Sequence, residues 1–423
     1  MVVLKNHIER QYRVKTHCKG QKMKITKIMV KNFKALHDVD FKPGSVNVFV
    51  GTNGVGKSAL LEAIGILSAA INEQVEDESL YRRGVRLGTP SAYKSSLECL
   101  KKRPNTIELA INWTEDSDVF NYKINLSNPS DKPESYWNFF SESLHIDGEN
   151  SPELTRGSRP KKIGVNGNGS DVNVDKYRSM LSFYKNTNQT EYLSNFYNLF
   201  RDYAIYTPTT DVLRGVNSDS SQKKPIGLRG GRLADAVDDL LRGDSFGNMD
   251  IDDLFELLGW VSDIRVGKPQ KDMIPTGVPT PLRIIQFTDK YMKANQNQLS
   301  SYDASEGALY VLFMLTLSLH PQAPQAFAID NFDQAMNPRL ARATMRSFCS
   351  NIINNNKVAF VTTHNPLVLD GLDLTNDEIR LFTMDRDKDG ATFIEPVELS
   401  SSLDELSLSR LWISGALGGV PNL

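Results

Sequence analysis

Eight residues, GTNGVGKS from Gly51 to Ser58, constrain the fold more than any other stretch of the sequence. They satisfy G-x-x-x-x-G-K-[ST] in full. They also stand between SVNVFV (45–50), which reads as a strand, and SALLEAIGILSAAI (58–71), which reads as a helix with a mainly apolar body. At such a junction the glycines Gly51, Gly54 and Gly56 let backbone N–H groups turn inward around an anion, with the positive end of the helix behind them. Lys57 adds a point charge for the β and γ phosphates of a nucleoside triphosphate, and the Ser58 hydroxyl is a ligand for Mg2+. A glycine-rich turn that merely caps a helix would not need the lysine and the serine together.

The rest of the chain supplies the sheet and helices such a loop requires. KITKIMVKNF from Lys24 and LHDVDF (36–41) read as strands ahead of the loop. TIELAINW (106–113), VFNYKINL (119–126) and WNFFSESLHI (137–146) read as an antiparallel set separated by polar turns. Residues 147–174, rich in Gly, Ser, Asn and Pro, read as a flexible loop. Helical patterns follow in KYRSMLSFYKN, EYLSNFYNLFRDY, ADAVDDLLRG and IDDLFELLGWV (251–261), with a Gly/Ser/Lys-rich loop at 214–232. A helix at 306–319, a strand at 326–330, a helix at 338–354 and a strand at 357–362 restore the α/β alternation. The expected organisation is a basic N-terminal arm at 1–22, poorly ordered; a first lobe at 23–146; the flexible loop at 147–174; a mainly helical insertion or lid at 175–297; and a second lobe at 298–423.

Composition excludes several classes. The net charge of −2 argues against a protein that coats nucleic acid over its whole surface. The longest apolar run, VLFMLTLSL (311–319), is far below the roughly 20 residues of a membrane span, and no signal peptide is evident, so no membrane partner and a cytoplasmic location are expected. Cys18, Cys99 and Cys349 are scattered without CxxC spacing, which fits free thiols in a reducing compartment.

Three further segments carry chemistry. In AFAIDNFDQAMNP (326–338) a hydrophobic strand delivers Asp330, a second candidate Mg2+ ligand beside Ser58. In SYDASEGALYVL (301–312), Ser305, Glu306 and Gly307 open a helix, where a hydroxyl and free N–H groups face outward to an anion. In VTTHNP (361–366), His364 follows a strand and is placed to bond a γ-phosphate or a water. MDRDKDG (384–390) begins like a calcium loop, but its twelfth position is Pro396 instead of a bidentate glutamate, so a tight hairpin is expected.

Together these parts resemble the ABC-type ATPases of the SMC and RecF group, and most nearly the ATPase half of the overcoming-lysogenization-defect (OLD) family and related bacterial anti-phage ATPases. The resemblance covers 23–146 and 298–423. It implies an α/β P-loop core of the ABC type with an antiparallel β subdomain, a helical insertion standing where SMC relatives carry a coiled coil. It makes Gly51–Ser58 the Walker A loop, Asp330 the Walker B aspartate, Ser305–Gly307 the signature and His364 the switch histidine. Asn53, Gly54, Val55, Gly56, Lys57, Ser58 and Ala59 would then bind the nucleotide, as would Lys34 in the segment NFK (32–34). LYRRGVR (80–86) lies where SMC relatives carry a DNA-facing or phosphate-facing arginine; a solvated basic loop is the competing reading.

The resemblance also implies a dimer with two ATP molecules sandwiched head to tail, Lys57 and Asp330 of one copy facing Ser305 and Gly307 of the other. Against the family pattern D-E-P-E-x-G-L-H-P this chain has D-N-F-D-Q-A-M-N-P. Asn331 replaces the presumed general base and Asn337 a second histidine, while Asp333 remains an acid beyond them. Asn331, Asp333 and His364 are therefore the catalytic candidates. Loss of a general base costs about 10²–10⁴-fold in rate, so tight ATP binding with slow hydrolysis is expected. The functional expectation is an ATP-driven sensor or scaffold in anti-phage defence, a homodimer or higher homo-oligomer working with a separately encoded effector such as a nuclease. OLD proteins carry a nuclease after the ATPase, and nothing here is long enough to hold one. The alternatives are a RecF-type ATPase that clamps DNA and a pseudo-ATPase that uses nucleotide only for assembly.

Overall fold

The computed structural model describes residues 23–72, 74–149, 152–157, 162–163, 175–187, 190–221, 223–242, 251–269, 273–274, 276–277, 281–398 and 406–419. The expected basic arm at 1–22 and most of the loop at 147–174 lie outside the described residues.

Along the chain, strands β1 (Lys24–Phe33), β2 (Leu36–Phe41) and β3 (Val46–Gly51) lead into helix α1 (Lys57–Asn72). Strands β4 (Thr106–Glu115), β5 (Asp118–Ser127), β6 (Asn138–Ile146), β7 (Leu154–Arg156) and β8 (Lys162–Ile163) follow. Except for β3, these strands form one antiparallel sheet in the order β2-β1-β4-β5-β6-β7-β8. Its buried face packs on α1 and on helix α2 (Glu191–Arg201), where Trp113 stacks on Phe120 and Phe196 at centroid distances of 4.9 and 4.0 Å.

The second sheet holds the site. It runs β16-β15-β3-β14-β13-β9, with β9 (Ile205–Tyr206), β13 (Ala326–Ile329), β14 (Val358–Thr362) and β15 (Ile379–Arg386) all parallel to their neighbours and to β3. Only β16 (Thr392–Pro396) is antiparallel, joined to β15 by the tight hairpin expected at 384–390. Every residue of β3 is buried, the signature of a strand covered on both faces. Its alternation divides the core. Phe49 meets Phe41 and Phe382 on the side of α1, whereas Val46, Val48 and Val50 face helices α3 (Glu306–Leu319) and α4 (Pro338–Asn354). Parallel strands end together, so Gly51, Asp330 and Thr363 leave the same edge of the sheet, the edge at which α/β folds bind ligands.

The middle of the chain, among the described residues, holds helices at Met180–Thr187, Glu191–Arg201, Thr210–Arg214, Leu233–Arg242 and Ile251–Leu257, with the two residues of β9 and turns over the described part of 215–232 between them. It then closes with a three-stranded antiparallel sheet, β10 (Val261–Gly267), β11 (Ile284–Asp289) and β12 (Gln298–Ser300), that the periodicity did not reveal. The helix read over 251–261 stops at Leu257. A register shift between Val261 and Asp263 puts a bulge into β10, which breaks the period-two alternation that would have marked a strand.

Candidate functional site

β3 hands the chain to the loop at Gly51, and the glycines are required by what lies against them. A Cβ on Gly51 (φ +154°) would stand 2.3 Å from the Met384 carbonyl oxygen. One on Gly56 (φ +111°) would meet the Thr392 hydroxyl at 3.2 Å. The loop is thus clasped from behind by the β15–β16 hairpin. The Thr392 hydroxyl donates to the Val55 carbonyl at 2.6 Å and Arg386 Nη2 donates to the Gly54 carbonyl at 2.7 Å. Asn53 and Gly54 are exposed at the loop crest, while the side chains of Val55 and Ala59 sit in the core.

Lys57 is 7% exposed and turns back into its own loop, donating to the Gly51 and Thr52 carbonyls at 2.8 and 2.9 Å. Burial lowers its pKa to about 8, with Asp330 pulling the other way. Ser58 Oγ donates to Asp330 Oδ2 at 2.7 Å, and Thr362 Oγ1 donates to Asp330 Oδ1 at 2.6 Å. The first two of these residues suit Mg2+: a hydroxyl and a carboxylate, both hard oxygens, adjacent and too few to form a closed cage, so that phosphate and water would complete the shell. Asn331 follows in a left-handed turn (φ +63°), its N–H donating to Thr362 Oγ1 at 2.9 Å. Asp333 Oδ1 accepts from Thr363 Oγ1 at 2.6 Å and from the His364 N–H at 3.4 Å. The His364 side chain is held below its usual pKa by partial desolvation and then by Lys57, against the pull of Asp333 and Asp330. Asp330, Asp333, Lys57, Ser58 and His364 therefore converge at one edge of the sheet.

Lys34 reaches this edge from the turn between β1 and β2, at φ +52°. It is ion-paired to Glu62 and lies over the rings of Phe33 and Tyr93. Glu62 is 2% exposed, and its other oxygen accepts from Arg86 Nε. Ser58 and Glu62 are four apart on α1, hence on one helical face, so Glu62 seats both cations one turn behind the serine. Of the LYRRGVR cluster, Arg82 pairs with Glu78 and Arg86 with Glu62, while Arg83 donates to Ser68 and Ser79.

Ser305, Glu306 and Gly307 are elsewhere. Ser305 N-caps α3, its Oγ accepting from the Ala308 N–H at 3.3 Å. Arg214 holds the approach to it, donating to the carbonyls of Ser301, Tyr302 and Ala304. The turn opens on a cavity of about 1060 Å³ whose other walls include Trp260, Asn337, Arg339 and Arg346. No residue of Gly51–Ala59 lines it. Within one chain the two halves are not brought together. Asn337, which departs from the family histidine, N-caps α4 by accepting from the Leu340 N–H at 3.0 Å.

The sequence reading missed Thr362, Thr363, Glu62, Arg214, Arg386 and Thr392. A glutamate within an otherwise apolar helix was a usable signal for Glu62, and the threonines adjoin His364 in the quoted VTTHNP. Nothing local distinguishes Arg214, Arg386 or Thr392.

A strand–GxxxxGKS–helix unit whose serine shares a carboxylate with a neighbouring parallel strand, beside an antiparallel subdomain, is an ABC-type P-loop ATPase fold. The chain belongs to the family described as "AAA domain, putative AbiEii toxin, Type IV TA system", which matches residues 46–370. Among solved structures it is similar to the SMC head domain from Thermotoga maritima, at 14% identity and TM-score 0.44, covering 89% of this chain and 100% of that one. It is similar also to an SMC head bound to the C-terminal winged-helix domain of ScpA, at 12% identity and TM-score 0.48, covering 90% and 99%. A third is an SMC head with an extended coiled coil bound to the C-terminal domain of ScpA derived from Pyrococcus furiosus, at 12% identity and TM-score 0.45, covering 91% and 98%. No curated protein matches the sequence.

Proposed function

We propose that the chain binds Mg-ATP between the Gly51–Ser58 loop of one copy and the Ser305–Gly307 turn of a second, hydrolyses it slowly, and thereby acts as an ATP-dependent sensor or scaffold for a separate effector protein in bacterial anti-phage defence. One observation carries the reading. The Gly51–Ser58 loop and the Ser58–Asp330 hydrogen bond lie within one chain, while the Ser305–Gly307 turn faces an open cavity that no residue of Gly51–Ala59 lines.

Among the described residues, the hydrogen-bond partners of the Lys57 ammonium are carbonyls of its own loop, which it exchanges for phosphate oxygens. Bound Mg2+ would neutralise charge on the β and γ phosphates from between Ser58 and Asp330. Lys34 and Arg86, seated on Glu62, add positive charge at the rim. Position 331 supplies a neutral amide on a left-handed turn, which orients a water without taking its proton.

The test is titration of Mg-ATP into purified protein, with light scattering to follow dimer formation and radiolabelled phosphate release to follow turnover. Tight binding, ATP-dependent doubling of mass and slow release are expected; turnover at tens per second would refute the slow-hydrolysis part. N331E is expected to raise turnover by adding a carboxylate at the turn. No increase would show that position 331 does not limit the rate.

A further inference from the structure

β14 ends at Thr362 and Thr363 follows it directly, both 0% exposed. Consecutive side chains leaving a strand point to opposite sides, so a pair of hydroxyls at its end reaches two different partners. Here both partners are carboxylates of the turn after β13. Thr362 Oγ1 donates to Asp330 Oδ1 at 2.6 Å, while the other oxygen of Asp330 receives Ser58. Thr363 Oγ1 donates to Asp333 Oδ1 at 2.6 Å and accepts from the Asn365 N–H at 3.1 Å. Among the described residues, Asp333 Oδ2 has no hydrogen-bond partner.

We propose that the two threonines sort the carboxylates of the site into separate tasks. Thr362 is a positioning residue for Asp330 as metal carboxylate. Thr363 is a positioning residue for Asp333 as the proton acceptor that position 331 lacks. The inference rests on the Mg-ATP reading above and names the group that completes its chemistry. Asp330 has both oxygens engaged, and its alignment with Ser58 fits it to a cation. Asp333 has one oxygen pinned by two donors and the other available. His364 is acted on electrostatically by Lys57, Asp333 and Asp330, and Lys57 by Asp330, so Asp333 shares the histidine with the charges that face the phosphates. In the step itself, water oxygen forms a bond to the γ-phosphorus and the bond from that phosphorus to the β–γ bridging oxygen breaks. The electron pair leaves with ADP, and the water proton passes to Asp333 Oδ2 and then to solvent.

Two readouts separate the threonines. The first is the Mg2+ concentration at half-maximal binding of a fluorescent ATP analogue; the second is the single-turnover rate of phosphate release at saturating Mg-ATP. Thr362→Val is expected to raise the Mg2+ half-point about 10–100-fold. Thr363→Val leaves that half-point where it was and slows release about 10–100-fold, with recovery in Thr363→Ser. Asp333→Asn slows release about 10²–10⁴-fold, and adding Thr363→Val to it slows release no further. Valine matches threonine in shape, and retained binding of the analogue certifies a folded site. If both valine variants moved the same readout, or Asp333→Asn kept its rate, the inference would be overturned while the Mg-ATP reading stood. If wild-type protein did not bind the analogue, that reading itself would fall, and the inference with it.

Discussion

The edge of the central sheet and the start of α3 are built on opposite plans. At the sheet edge most functional groups have a partner inside the chain: Lys57 on loop carbonyls, Ser58 and Thr362 on Asp330, Thr363 on Asp333, Lys34 and Arg86 on Glu62. At the start of α3, Ser305 caps its own helix and the surface beyond is open. The contrast shows where order is stored before ligand arrives. A closed network of charged and hydroxyl groups keeps its geometry unaided. An exposed helix terminus with two or three free N–H groups needs an anion brought to it.

That contrast yields predictions, beginning with the largest effect. Lys57→Met removes the charge that would replace two carbonyl partners with phosphate oxygens. It is expected to weaken Mg-ATP binding about a hundredfold or more, read by calorimetry, since hydrogen bonds to charged groups contribute about 1.5–3 kcal/mol each. Ser305→Arg leaves binding to the single chain in place and removes ATP-driven dimerisation, read by light scattering. Equal loss of both would show that the two halves do not work on separate copies.

Glu62→Gln leaves two cations facing a neutral amide. It is expected to lower stability by about 1–3 kcal/mol in denaturant unfolding, between the ranges for exposed and buried pairs because Arg86 is largely in water.

The smallest effect is on pH. Burial holds Lys57 near 8, below its ordinary 10.5, and phosphate oxygens favour the charged amine. Nucleotide affinity is therefore level below pH 8 and falls about tenfold per unit above it, with proton uptake on binding visible as buffer-dependent heats. The sign for folding is opposite. Between 8 and 10.5 the unfolded chain holds the proton that the folded chain has released, so ligand-free stability rises with pH across that window.

Much of this was legible before any coordinates. The glycine spacing, Lys57, Ser58 and the apolar strands on either side specify a phosphate loop, because local backbone freedom and local charge are all the loop needs. Asp330 was legible because it terminates a buried strand, and Ser305 because N-capping is a contact between near neighbours in sequence. The sheet at 261–300 was not legible, since a bulge hides its alternation. Arg386 and Thr392 were not legible either, because their partners in the loop lie some three hundred residues away along the chain.

The asparagine at 331 marks the boundary between the two kinds of information. Read from the sequence alone, it announces that the usual acid is missing and that hydrolysis will be slow. Residue order determines which groups are present. It does not say which carboxylate each threonine of Thr362–Thr363 will meet, because that depends on β13 and β14 lying side by side and ending at the same edge of the sheet. Hydrogen bonds act over about 3 Å, so only the packing of those two strands could decide that one aspartate faces Ser58 and the other faces Thr363.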